Sequence, residues 1–110
     1  MKTTNHEMIV VICNSGFADV AMGVARENGA RGGTIVNARG VVNEEAAAFF
    51  GITLHAEKEL LMIVVDKQIR DTILNALYTQ MEKKSQTFAF AMPVSDVAGL
   101  LPAEPPKTEE

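Results

Sequence analysis

The sequence predicts an α+β domain of the ferredoxin-like βαββαβ type, with a four-stranded antiparallel sheet and two helices on one face. Three observations predict this fold: strand-length apolar runs, two apolar stripes at helical spacing, and the order in which the runs and stripes alternate along the chain. The 110 residues, 47% of them hydrophobic, suit one domain with its own core.

The first half of the chain supplies a strand, a helix and a second strand. Met8–Cys13 is a β-branched run of strand length. Asn14 and Ser15 are typical capping residues, so we expect a helix to begin after them. Gly29 stands where a glycine commonly ends a helix, and Gly33–Asn37 follows as the second strand. The apolar stripe of the helix recurs at i, i+3, i+4, i+7 and i+8: Phe17, Val20, Ala21, Val24 and Ala25.

The second half repeats the same order of strand, helix and strand. Leu60–Val65 is the third strand, and Asp66 can cap the helix that follows it. Thr87–Met92 alternates as the fourth strand and is closed by Pro93. The apolar residues of the second helix stand at steps of four: Ile69, Ile73, Leu77 and Met81.

These elements define the predicted organisation of the chain. We expect an N-terminal tail over 1–7, a folded domain over 8–101 and a disordered, proline-rich tail over 102–110. A loop over 40–57 joins the second and third strands. Within it, Phe49 and Phe50 are adjacent and would point about 100° apart on a helix. One ring can pack on the domain while the other meets a neighbouring subunit or a partner.

Composition excludes several function classes. A formal charge of −4 argues against a nucleic-acid surface. The apolar runs are too short to span a bilayer and no signal peptide is visible, so we expect a soluble, cytoplasmic protein. The single cysteine, Cys13, excludes an internal disulfide framework. His6 and His55 are too few and too far apart in sequence to suggest a zinc site, although His55 with Glu57, Glu44 or Glu45 could form a weak metal or pH-responsive site if the loop folds back. No nucleophile–base pair predicts catalysis.

The two predicted helices can cover only one of the two faces of the sheet. Met8–Cys13 and Leu60–Val65 are apolar at odd and even positions alike, while side chains alternate between the faces of a sheet. The face away from the helices would therefore expose a large apolar patch, which usually marks an interface. We infer a homo-oligomer built on this face; the alternative is a covering element formed by residues 40–57.

The ordered set of these features resembles the PII signal-transduction family over about residues 8–101. The resemblance implies a compact homotrimer with its sheets facing inward. It also implies an adenine-nucleotide cleft between subunits and a partner-binding loop between strands two and three. It rests on glycines and short motifs at matching places: Gly29 closing the first helix, Thr34 and Gly40 bounding the second strand, Asp71 and Thr72 in the second helix, and Pro93 with Val94 in the last strand.

The resemblance assigns site residues. Thr34 would lie near the adenine, and the backbone of Gly40 and Val41 would border the phosphates, as backbone N–H groups near glycine can. Arg39 and Lys58 flank the loop and could converge on one anion. Two further basic residues near the expected cleft, Lys83 and Lys84, equally fit a role in complementing the dipole of the second helix.

Departures from the family pattern affect the expected ligand. Glu44 stands where the family has a magnesium-binding glutamine, and Glu82–Thr87 replaces a glycine-rich segment. Gly99 and Leu101 replace two late arginines that grip the outer phosphates, and neither side chain can make bidentate phosphate contacts. We therefore expect AMP or ADP to bind at least as well as ATP, with a cyclic nucleotide or another small anion as alternatives.

The sequence thus predicts a non-enzymatic sensor that requires no cofactor. In this hypothesis the effector changes the loop, and the loop regulates a membrane transporter or a metabolic enzyme. A second hypothesis is a trimeric metal-handling or stress protein of the related divalent-cation-tolerance type, without nucleotide. A third is an enzyme that uses a ferredoxin-like subunit interface.

Overall fold

The structure of the protein, a computed structural model, describes residues 2–41 and 56–99. Its elements follow the predicted βαββαβ order, which confirms the fold. In chain order they are β1 (Lys2–Asn14), α1 (Ala18–Glu27), β2 (Thr34–Gly40), β3 (Ala56–Asp66), α2 (Lys67–Gln80), a 3₁₀ turn (Lys83–Ser85) and β4 (Phe88–Asp96).

The four strands form one antiparallel sheet in the order β2-β3-β1-β4. Its register is fixed at the centre by Val10, which stands opposite Met62 on β3 and Phe90 on β4. Both helices pack on the opposite face from Val10. The core between helices and sheet comprises mainly Ile9, Val11, Ala21, Met22, Val24, Ala25, Leu61, Ile63, Val65, Ile73, Ala76 and Leu77.

Helix α1 begins differently from the prediction. Its N-cap is Phe17, which makes no capping hydrogen bond, and the side chains of Asn14 and Ser15 do not cap it. The carboxylate of Glu59, on β3, instead accepts hydrogen bonds from the backbone N–H groups of Gly16 at 3.1 Å and Ala18 at 3.0 Å. A tertiary contact has replaced the local cap.

The buried side of α1 is also rotated from the predicted stripe. Ala18 and Met22 are buried, whereas Val20 is 51% exposed. Three residues of the predicted stripe, Ala21, Val24 and Ala25, are buried as expected, so helical periodicity holds with the stripe shifted toward Ala18 and Met22.

Two predicted helix boundaries are confirmed. Gly29 has a positive φ of 108° and follows the C-cap Asn28, and the N–H of Ala30 donates to the carbonyl of Ala25 at 3.0 Å. Together with the bond from Gly29 to the Arg26 carbonyl, this is a Schellman motif. At the start of α2, Asp66 accepts from the Gln68 N–H at 3.0 Å.

Two strand ends differ from the prediction. Residues 2–7, predicted to be part of an N-terminal tail, belong to β1. Glu7 is buried and bonded to Arg70 of α2 at 2.9 Å, which anchors a segment whose polar composition resembles a tail. Strand β4 continues through Pro93 to Asp96, because an edge strand has a solvent-facing side where a missing N–H costs no sheet hydrogen bond. Residues 102–110 and most of the 40–57 loop lie outside the described residues.

The sheet face opposite the helices, called the open face below, is apolar along its whole width. Phe88 is 62% exposed there, and Val64 is 40% exposed. By register and alternation the face carries Met8, Val10, Ile12, Thr34, Val36, Leu60, Met62, Val64, Phe88, Phe90 and Met92. Among the helices of residues 2–41 and 56–99, none is long and apolar enough to cross a membrane.

Candidate functional site

A cleft of about 560 Å³ opens where β2 ends and β3 begins. The turn after β1 closes one side of it, because the N–H of Ser15 donates to the carbonyl of Glu57 at 3.0 Å. The cleft is lined by positively charged, negatively charged and neutral residues: Ser15, Asn37, Ala38, Arg39, Glu57 and Lys58. Its volume lies within the range of small-molecule sites.

The Lys58 side chain makes two hydrogen bonds at this end of the sheet. Its Nζ donates to the Oδ1 of Asn14 at 2.7 Å and to the Oε1 of Gln86 at 3.0 Å. The Nδ2 of Asn14 in turn donates to the carbonyl of Lys84 at 2.8 Å. The ammonium is therefore tied to β1 and to the segment before β4. A lysine has three N–H donors, and acceptors among residues 2–41 and 56–99 occupy two of them.

Gly40 lies against the stem of Lys58. A Cβ at Gly40 would stand 3.1 Å from the Cε of Lys58, closer than ordinary van der Waals contact. The absence of a side chain therefore lets the lysine cross the backbone of β2 at its last residue. Val41 follows directly and is 97% exposed, so this residue is open to solvent.

Arg39 reaches the cleft from the other face of the sheet. It stands opposite Glu57 in the register, whereas Lys58 stands opposite Ala38 and Asn14. Neighbouring positions of a strand point to opposite faces, so Arg39 and Lys58 line the cleft from different sides. Both residues line the cleft, as does Glu57, the register partner of Arg39.

The remaining predicted residues are more dispersed. Thr34 begins β2 while Gly40 ends it, a separation of about 20 Å at the usual strand rise. Lys84 borders the Lys58 network through its backbone, and its Nζ lies 3.7 Å from Glu82. Lys83 lines a second groove instead. Phe49 and Phe50 lie outside the described residues.

This second groove, of about 550 Å³, lies between α2 and the start of β4. Tyr78, 87% exposed, and Phe88 are its large aromatic side chains. Gln86 borders this groove and also contacts Lys58, so the two concave regions meet at one side chain.

Cys13 is buried beneath the cleft, with its Sγ 3.9 Å from the carbonyl of Glu59. Burial raises the pKa of this thiol, and the Glu59 carboxylate raises it further against the smaller lowering effect of Lys58. A raised pKa keeps the thiol protonated and unreactive. Within the described part of the chain, no three potential ligand residues cluster in a way that could hold a metal ion.

Three residues that make side-chain contacts around Lys58 and the turn after β1 were missed by the sequence prediction. Asn14 carries a polar signal, but the pattern assigned it to the helix cap. Glu59 directly precedes the apolar run Leu60–Val65 and follows two other charged residues, so nothing in the local pattern singles it out. Gln86 has no sequence signal, because its contact with Lys58 depends on a left-handed backbone conformation at φ 50°.

No family model and no curated protein matches the sequence. Solved structures do match the fold. A PII-like signalling protein from Thermus thermophilus superposes with a TM-score of 0.66 at 19% identity, over 86% of this chain and 90% of that chain. The fold is that of the PII-like proteins.

Two further PII-like structures agree. CPII from Thiomonas intermedia, bound to ADP, AMP and bicarbonate, has a TM-score of 0.64 at 11% identity, covering 86% of this chain and 96% of that one. Arabidopsis thaliana PII, bound to citrate, has a TM-score of 0.64 at 20% identity, covering 86% and 80%. The PII-like fold of this chain thus agrees with the sequence resemblance over the same region.

Proposed function

We propose that this protein is a PII-like signalling protein: a cytoplasmic homotrimer that binds an adenine nucleotide between its subunits and regulates a transporter or an enzyme through residues 40–57. The observation that carries the proposal is the Lys58 ammonium beside Gly40. It places a positive charge, with one N–H donor left over by the acceptors in the described part of the chain, next to a glycine backbone, at the end of the sheet from which the 40–57 loop leaves.

The open face supports assembly. It presents apolar side chains from all four strands, and such continuous exposed patches are typical of interfaces. Three copies that bury this face would place the ends of their sheets next to one another. The cleft at Lys58 would then become a boundary between subunits.

The position of Thr34 supports a site shared by two subunits. About 20 Å of β2 separates it from Gly40, which is too far for one nucleotide to contact both within one chain. If the adenine lies near Thr34 and the phosphates near Gly40, the two residues must come from neighbouring subunits.

The ligand class follows from the charges at the cleft. Arg39 and Lys58 are its cations, and Glu57 faces Arg39. Two cations beside one carboxylate suit a ligand with one or two phosphates better than a ligand with three. CPII, with the same fold, is bound to ADP, AMP and bicarbonate, which supports testing these ligands first.

Thermal denaturation with AMP, ADP, ATP, bicarbonate and divalent metals tests the proposal, because a ligand of the native state raises its stability. At a hundredfold excess over Kd, the expected stabilisation is about 2.7 kcal/mol. Lys58→Met should lose this gain. Lys67→Met, an exposed lysine at the start of α2, is the matched control. Stabilisation by metals alone would favour the metal-handling hypothesis.

The proposed role of residues 40–57 in partner binding has a separate test. Phe49→Ala combined with Phe50→Ala should leave assembly and nucleotide affinity intact while abolishing partner capture from lysate. If the double variant loses its assembly, these rings belong to the subunit interface instead.

A further inference from the structure

Gln86 accepts a hydrogen bond from the Lys58 ammonium at 3.0 Å, so it occupies a donor that an anion at this cleft could use. We propose that it is a specificity-determining residue that limits how strongly an anion can bind at this cleft. The inference rests on the proposed function for its site, but it concerns a contact within this chain.

The first support is the number of N–H donors on the Lys58 ammonium. Asn14 and Gln86 occupy two N–H groups of Lys58, at 2.7 and 3.0 Å, out of the three that the ammonium has. Counting acceptors in the described part of the chain alone, one donor remains for an anion. A ligand that accepts two hydrogen bonds from Lys58 must first displace an amide oxygen.

The second support tells which amide is displaced. Asn14 is held at its other end, because its Nδ2 donates to the carbonyl of Lys84 at 2.8 Å. The Gln86 contact is exposed, and its backbone has the left-handed conformation φ 50°, ψ 46°, which glutamine adopts at a cost. Gln86 is therefore the contact that yields to a ligand.

Substitutions at Gln86 can separate its side chain from its backbone. Gln86→Asn keeps an amide and suits the left-handed conformation, but its side chain is one methylene shorter and leaves Lys58. Gln86→Gly accepts the same backbone without any side chain. Gln86→Glu keeps the length and adds a carboxylate beside the ammonium.

The test is the affinity of the full chain for inorganic phosphate and for AMP, measured by calorimetry. Gln86→Asn and Gln86→Gly should bind about fivefold more tightly than the unmodified protein, the factor that one hydrogen bond of ordinary net strength represents. Gln86→Glu should bind about fivefold more weakly or worse, because its charge opposes the anion. Gln80→Asn, exposed at the end of α2, should change nothing.

A double-mutant cycle separates competition from a structural role. In a Lys58→Met background, Gln86→Asn and Gln86→Gly should leave the residual affinity unchanged. Equal effects with and without Lys58, or no gain in Gln86→Asn and Gln86→Gly, would overturn the inference. If the unmodified protein binds neither ligand while Gln86→Asn binds phosphate, competition is supported and nucleotide sensing by the natural chain is not.

Discussion

Adding one methyl group at Gly33 tests how β2 is seated on the domain. An ideal Cβ there would lie 2.9 Å from the Leu61 Cδ1, 3.0 Å from the Met22 Sδ and 3.1 Å from the Met62 carbonyl oxygen. All three distances are shorter than ordinary contacts. Gly32, the preceding residue, offers the matched control, because a Cβ there meets nothing within 4 Å.

The expected loss of stability in Gly33→Ala follows from how little the neighbouring atoms can move. Leu61 is 0% exposed and Met22 is 7% exposed, so neither side chain can swing into solvent, and the Met62 oxygen belongs to the backbone. Overpacking of this kind costs about 1–3 kcal/mol, and we expect the upper half of that range for Gly33→Ala. Gly32→Ala should instead be neutral or stabilise by up to about 1 kcal/mol, because it restricts the unfolded chain.

Urea unfolding at one fixed protein concentration measures both variants, since the stability of an oligomer depends on concentration. The midpoint should fall for Gly33→Ala and hold or rise for Gly32→Ala, with unchanged slopes. Equal midpoints for the two variants would refute the close packing of β2 against β3 and α1.

Three other perturbations follow from single features. Val64→Asp, on the open face, should dissociate or unfold the assembly in sedimentation experiments, whereas Val20→Asp, at an even more exposed valine of α1, should leave it intact. Glu59→Ala removes the acceptor of two N–H groups at the start of α1 and should lower the free energy of unfolding, measured in urea, by about 1–2 kcal/mol. Glu59→Gln should recover part of this loss. Unchanged stability in Glu59→Ala would contradict the capping role of Glu59. Burial raises the pKa of Cys13 in the folded state, so the thiol of the unfolded chain ionises at a lower pH than that of the folded chain. The free energy of unfolding should therefore fall as pH rises above about 8.5, the ordinary thiol pKa. If Cys13→Ala shows the same pH dependence, the loss of stability does not come from this thiol.

The sequence predicted the elements better than their ends. Periodicity placed both helices and all four strands, because apolar spacing reports directly on a buried face. The start of β1 was missed since Glu7 is polar, and its burial depends on Arg70 sixty-three positions later. The cap of α1 was misassigned for the same reason: Glu59 acts from a distant strand.

The candidate site was predicted in part. Gly40, Arg39 and Lys58 lie together at the end of the sheet, as their places on either side of the loop indicated. Thr34 does not join them within one chain. The contact of Gln86 was beyond sequence reasoning, because a left-handed glutamine leaves no pattern in the residues around it.

Calorimetric titration of AMP into the unmodified protein and into Val64→Asp shows whether the proposed site needs residues from two subunits. We expect one AMP per chain for the assembled protein and no binding to the dissociated variant. Equal binding by a folded Val64→Asp monomer would place the site within one chain. An unmodified protein that binds no adenine nucleotide would contradict nucleotide sensing altogether.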